Sequence, residues 1–162
     1  MWQIFRNYIY LVKIHIVTKK YISKRIFIAS DHAGYDLKEA IKNFLIKKNK
    51  IVKDLGPQNN NPVDYPDYAH LLSKKIKNKP YFGILVCGSG TGMAMSANKH
   101  KYIRAAQCYN IKSTILSRKH NNANVMTIGA RLIKRATALK CVDIFLRTNF
   151  EGGRHNRRIK KI

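Results

Sequence analysis

In the segment GILVCGSGTGMAMSANK, Cys87 closes an apolar run and opens onto three alternating glycines, Gly88, Gly90 and Gly92. Glycines lack a Cβ, so their backbone N–H groups can close around an anion, and a helix starting just beyond adds its positive end. A thiol in that position is favoured as the thiolate, the form that acts as base or nucleophile. Two plainer accounts compete: a tight turn for the glycines and an inert buried thiol for the cysteine. The spacing G-x-G-x-G is not the G-x-G-x-x-G of dinucleotide binding, no acid follows near Cys108 to hold a ribose hydroxyl, and no G-K-[ST] completes a P-loop. Asp31 and His32 follow an apolar stretch, and His120 and Asn121 sit in SRKHNNAN. Histidine gives and takes protons near neutral pH, although a histidine near a helix end is more often solvated or capping. Arg131, Arg154 and Arg158 offer guanidinium forks that match phosphate oxygens. One helical turn would put Arg154 and Arg158 on a common face.

These groups need a frame, and the hydrophobic pattern supplies one. RIFIAS (25–30), IVKDLG (51–56), FGILVC (82–87), IRAAQC (103–108) and VMTIG (125–129) read as short buried strands. Between them, Leu37, Ile41, Phe44 and Leu45 fall at helical spacing, with Lys38, Lys42 and Lys47 expected on the solvated side. Pro66 can open a helix carrying Tyr68, Leu71, Leu72 and Ile76, and the last helix is expected over about 133–146. Alternation of this kind implies a three-layer, Rossmann-like α/β fold, with a five-stranded parallel sheet flanked by helices. Ligands bind beyond the carboxyl ends of such strands. Segments 30–32, 87–92, 117–124 and 129–131 are therefore expected to converge on one rim. Asp31 has a competing role as N-cap of the first helix.

Composition narrows the class. The chain has 162 residues, enough for one well-packed domain. Lys plus Arg number 32 against 8 Asp plus Glu, a formal charge of +24 that suits an anionic substrate. Lysines run from Lys13 to Lys161 without forming one arm, and no nucleic-acid motif accompanies them, so no nucleic-acid partner is expected. Cys87, Cys108 and Cys141 show no C-x-x-C spacing and no H-E-x-x-H is present, so neither a metal nor a cofactor is expected, and a reducing compartment is. Residues 1–24 are apolar and basic with no acid, and Arg6 and Lys13 interrupt any membrane-length run. That segment reads as an extension, dispensable or serving as a transit signal, ahead of a domain over 25–162.

Taken together, IASDHAGYDLKEAI, DYPDYA, GILVCGSGTGMAMSANK, IRAAQC, LSRKHNNANVMTIGARL and FEGGRHNRRIKKI resemble the ribose-5-phosphate isomerase B family, shared with galactose-6-phosphate isomerase subunits. The resemblance spans about 25–162. It implies a cytoplasmic, cofactor-free aldose–ketose isomerase of the non-oxidative pentose phosphate pathway, working as a homodimer or a dimer of dimers with the site between subunits. By the same resemblance Cys87 is the base and His120 the ring-opening acid–base group. Gly88, Ser89, Gly90, Thr91 and Gly92 form the loop that receives the enediolate oxygen. Asn121, Asp31 and His32 contact substrate, and Arg154, Arg158 and Arg131 hold phosphate. Ser89 replaces a threonine common in the family and keeps its hydroxyl. Cys108, Cys141, His70, His100 and His155 receive no role. A six-carbon substrate such as galactose 6-phosphate or allose 6-phosphate is the nearest alternative, and a nucleic-acid-binding protein on the same fold a more distant one.

Overall fold

Short runs of β-branched and aliphatic residues form five strands: β1 (Ile26–Ser30), β2 (Val52–Asp54), β3 (Phe82–Cys87), β4 (Ala105–Gln107) and β5 (Val125–Gly129). The computed structural model describes residues 25–162, so the extension expected at 1–24 lies outside the described residues. All pairings are parallel in the order β2-β1-β3-β5-β4, with β3 central, and every residue of β1, β3 and β5 is buried. Continuous apolarity in these strands follows from their burial on both faces.

Among the described residues six helices accompany the sheet: α1 (Tyr35–Lys47), α2 (Tyr65–Ile76), α3 (Thr91–Ala97), α4 (Ile111–Asn121), α5 (Arg135–Arg147) and α6 (Arg154–Ile159). Side chains alternate across a strand, so β1 feeds two cores. Ile26 and Ile28 pack with Leu37, Ile41 and Leu45 of α1 and Val142 and Phe145 of α5, whereas Phe27 and Ala29 pack with Leu72 and Ile76 of α2 and Met93 of α3. Each of these side chains larger than alanine contributes about 1.5–3 kcal/mol relative to exposure. Pro66 stands in the first turn of α2, as its fixed φ favours. Asn110 and Ser113 make a reciprocal capping box that starts α4.

Several expectations need correction. Lys38 is not solvated: its side chain is fully buried, and Nζ donates to both Asp54 carboxylate oxygens at 3.0 and 2.8 Å and to the Pro57 carbonyl at 2.7 Å. The carboxylate at the end of β2 draws it inward, and Lys42 joins at 2.9 Å. Leu71 is exposed; Ala69, Leu72, Ser73 and Ile76 form the inward stripe of α2. Nor does Asp31 cap α1 directly. Gly34 holds the N-cap position, and Asp31 Oδ1 accepts its N–H at 2.8 Å, closing the turn ahead of the helix. The last core helix runs Arg135–Arg147, and α6 follows it.

Candidate active site

Strand β3 delivers Cys87 to the carboxyl rim of the sheet, beside Gly129 at the end of β5. The thiol is only 4 % exposed, yet the loop turns over it so that the Gly90 N–H donates to Sγ at 3.0 Å. Gly90 itself has φ +82°, and a Cβ there would lie 2.9 Å from the Gly129 nitrogen, so the turn accepts glycine alone. Ser89 and Thr91 are exposed, and the loop is braced from β4: Gln107 Nε2 donates to the Ser89 carbonyl at 2.8 Å and Thr91 Oγ1 to Gln107 Oε1 at 3.3 Å. A side chain on Gly88 would meet the Arg131 guanidinium at 3.3 Å, and one on Gly92 the Tyr65 ring at 2.6 Å. Arg131 and Tyr65 therefore flank the loop. Asp31 arrives on the same rim, its N–H donating to the Val86 carbonyl at 3.1 Å. Beside it, the exposed His32 meets the Val63 backbone through Nδ1 at 3.3 Å.

His120 and Asn121 are elsewhere. Helix α4 leaves the carboxyl end of β4 and runs back, so its last turn reaches the amino rim. There the Asn124 carbonyl accepts from Gly83, at the start of β3, at 2.9 Å, and Asn124 Oδ1 accepts the Arg104 N–H, ahead of β4, at 2.8 Å. The chain end joins this rim: Glu151 N–H donates to the Lys119 carbonyl at 3.0 Å, and α6 places His155 face to face with His120, centroids 4.3 Å apart and planes within 9°. Arg154 and Arg158 are exposed at i and i+4 of α6, on one face. Four steps of β5 separate the two rims by about 13 Å along the sheet. The expectation of one shared rim is thus overturned, because a helix following a parallel strand carries its carboxyl end back to where the next strand begins.

Each rim holds a coherent set. Cys87, Gly88–Gly92, Asp31, His32 and Arg131 gather at the carboxyl rim. His120, Asn121, Arg154 and Arg158 gather at the amino rim with Glu151 and His155. Lys119 anchors Glu151 by a 3.1 Å hydrogen bond, which holds that carboxyl below its ordinary value. Burial, reinforced by His120, Arg154 and Arg158, holds His155 below the usual histidine value, with Glu151 pulling the other way. Ligand atoms of His120, Glu151 and His155 lie within 4.8 Å of one another. The parallel rings direct their in-plane lone pairs side by side rather than toward one point, and Lys119 occupies a Glu151 oxygen, so this group fits proton handling better than metal ligation. Sequence reasoning missed Tyr65, Gln107, Glu151 and His155, although all stand inside the motifs DYPDYA, IRAAQC and FEGGRHNRR.

Residues 26–162 match the family model described as Ribose/Galactose Isomerase. The chain belongs to that family. Ribose 5-phosphate isomerase from Thermotoga maritima is 47% identical with a TM-score of 0.83, over 85% of this chain and 96% of that one. Ribose-5-phosphate isomerase B from Mycoplasma genitalium, solved with bound ribulose-5-phosphate, is 46% identical with a TM-score of 0.83, over 87% and 95%. The Clostridium thermocellum ribose-5-phosphate isomerase B is 42% identical with a TM-score of 0.83, over 85% and 93%. These three solved structures share the fold described here. Among the described residues no helix is long and apolar enough to cross a membrane.

Proposed function

We propose that the chain is an aldose–ketose isomerase interconverting ribose 5-phosphate and ribulose 5-phosphate. The Cys87 sulfur, held under the Gly90 N–H at the mouth of the glycine loop, carries this reading. In the open-chain aldose, the Cys87 thiolate takes the C2 proton: C2–H breaks, S–H forms, and the electron pair moves into C1=C2 while O1 becomes an oxyanion. Amides of Gly88–Gly92 receive that charge, worth roughly a hundred- to thousandfold in rate per donor. The proton returns to C1, the O2 proton passes to O1, and C2 becomes the ketone. Before this step His120 opens the furanose, taking the O1 proton and delivering one to O4 as the C1–O4 bond breaks. Arg154, Arg158 and Arg131 grip the phosphate, with Asp31, His32 and Asn121 on the remaining oxygens.

A single chain carries these groups on opposite rims, so two copies complete a site: the thiol half from one and the histidine half from its partner. A two-fold dimer then builds two equivalent sites, and a dimer of dimers four. A cleft of about 640 Å³ beside Asn121, lined by Asn98, Lys101, Arg104 and Ile162, lies on the histidine half and away from Cys87. The proposed setting is a reducing cytoplasm, within the non-oxidative pentose phosphate pathway. The domain assigned to 25–162 suffices for the activity.

Purified protein is expected to isomerise ribose 5-phosphate, with and without residues 1–24, and with kcat/KM above that for six-carbon sugar phosphates. A clear hexose preference would assign the site to the galactose branch of the family. Cys87→Ala is expected to lose C2 proton exchange by at least about a hundredfold while still binding inorganic phosphate. Normal turnover by that variant would remove the thiol from the mechanism.

A further inference from the structure

The amino-rim cluster contains two groups to which the isomerase reading gives no task. Glu151 places Oε2 3.6 Å from His120 Nε2 and 3.8 Å from His155 Nε2, while its Oε1 is held by Lys119 Nζ at 3.1 Å. His155 is buried, and its ring covers one face of the His120 imidazole. His120 is thus confined in two directions, by a stack across its plane and by a carboxylate at one ring nitrogen. A histidine that shuttles a proton between two sugar oxygens needs both a fixed orientation and a defined tautomer, and an adjacent carboxylate commonly supplies them. Around this cluster the remaining charges are all positive: Arg118 and Lys119 from α4, Arg154 and Arg158 from α6. Glu151 is therefore the lone negative group facing the two imidazoles among the described residues.

We propose that Glu151 is a positioning residue for His120: anchored by Lys119 and set at ion-pair distance from two stacked imidazoles, its carboxylate favours the proton on Nε2 of His120 and leaves Nδ1 to meet the sugar. The effect is confined to ring opening. The carboxylate takes no proton from the substrate and plays no part at C2. It stabilises the imidazolium formed when Nδ1 accepts the O1 proton, then returns to pairing with the neutral ring once O4 is protonated. His155 supplies the wall against which that ring is set.

The proposal rests on the isomerase reading, and its test separates the two. Ribulose 5-phosphate has no hydroxyl placed to close a five- or six-membered ring, so exchange of its C1 hydrogen with deuterated water passes through the enediolate without ring opening. Glu151→Gln preserves the shape of the side chain and removes its charge. Its kcat/KM on ribose 5-phosphate is expected to fall about 10- to 100-fold, while exchange at C1 of ribulose 5-phosphate changes by less than about threefold. An equal fall in both rates, or in neither, overturns the proposal. If the unaltered protein acts on neither sugar, the isomerase reading itself fails. Independently of activity, histidine ring resonances report the contact: removing Glu151 takes away the one attraction that raises His155, so its titration midpoint is expected to move to lower pH. A midpoint that stays in place overturns the pairing.

Discussion

At the scale of single residues, reactive groups were legible where the sequence itself places them side by side. Cys87 and its glycines are neighbours in the chain, and the Gly90 N–H on Sγ follows from a local turn. Gly90→Ala would force a Cβ within 2.9 Å of the Gly129 backbone at a φ of +82°. The loop, with its N–H on Cys87 Sγ, would have to shift, and under the proposed thiol mechanism kcat is expected to fall about a hundredfold, measurable in the steady state. By contrast, Glu151 and His155 meet His120 only through tertiary packing, and no spacing rule announces a contact between α4 and the chain end. The same packing has a pH signature. Burial above all, then neighbouring positive charge, holds both His155 and His100 below the ordinary value of 6.5. A histidine lowered in the folded state binds its proton better when unfolded, so the stability it contributes is full above that value and is lost as pH falls through it. Melting temperature is expected to drop between pH 7.5 and 5.5, and His100→Gln should flatten part of that drop.

At the scale of elements, periodicity located all five strands and the core helices to within a few residues, since burial on both faces leaves a continuous apolar imprint. Lys38 escaped because a lysine at a helical polar position looks solvated until Asp54 is brought beneath it. Burial alone would raise the Asp54 carboxyl, but hydrogen bonds from Lys38, Lys42 and the Gly56 N–H outweigh it and hold the group below its ordinary 3.8. A carboxyl lowered in this way stabilises the fold above that value and ceases to do so as pH falls through its folded titration. Lys38→Met removes the main partner of a partly buried carboxylate and is expected to cost about 3 kcal/mol in urea unfolding. The Pro57 carbonyl would lose its donor as well, freeing the loop that leads past Gln58 toward Val63 and His32.

At the scale of the whole molecule, the expectation of one rim failed for a reason that lies in chain direction rather than composition. Alternate strand and helix ends face opposite ways, so residues that the sequence groups by chemistry divide between two rims of one chain. Mixing Cys87→Ala protein with His120→Ala protein tests the division directly. Each variant alone should be inactive, and after subunit exchange about a quarter of unaltered activity should return, because half the dimers are mixed and each of those carries one intact site. No recovery would place both groups in one chain's site. A formal charge of +24 also bears on encounter with a phosphate ester: kcat/KM is expected to decline as ionic strength rises, while kcat stays level.

Arg118 gives the histidine half its footing. Buried at the end of α4, its guanidinium lies over the rings of Phe82 and Phe145, at 4.9 and 5.5 Å, and donates to the Asn122 side chain and to the Ala123 and Thr148 carbonyls. A guanidinium keeps its charge at any acidity a cell tolerates. Under the proposed mechanism His120, two residues along α4, can therefore gain and lose a proton on every catalytic cycle while the keystone beneath it never changes ionisation, so chemistry flickers over a scaffold that is deaf to it.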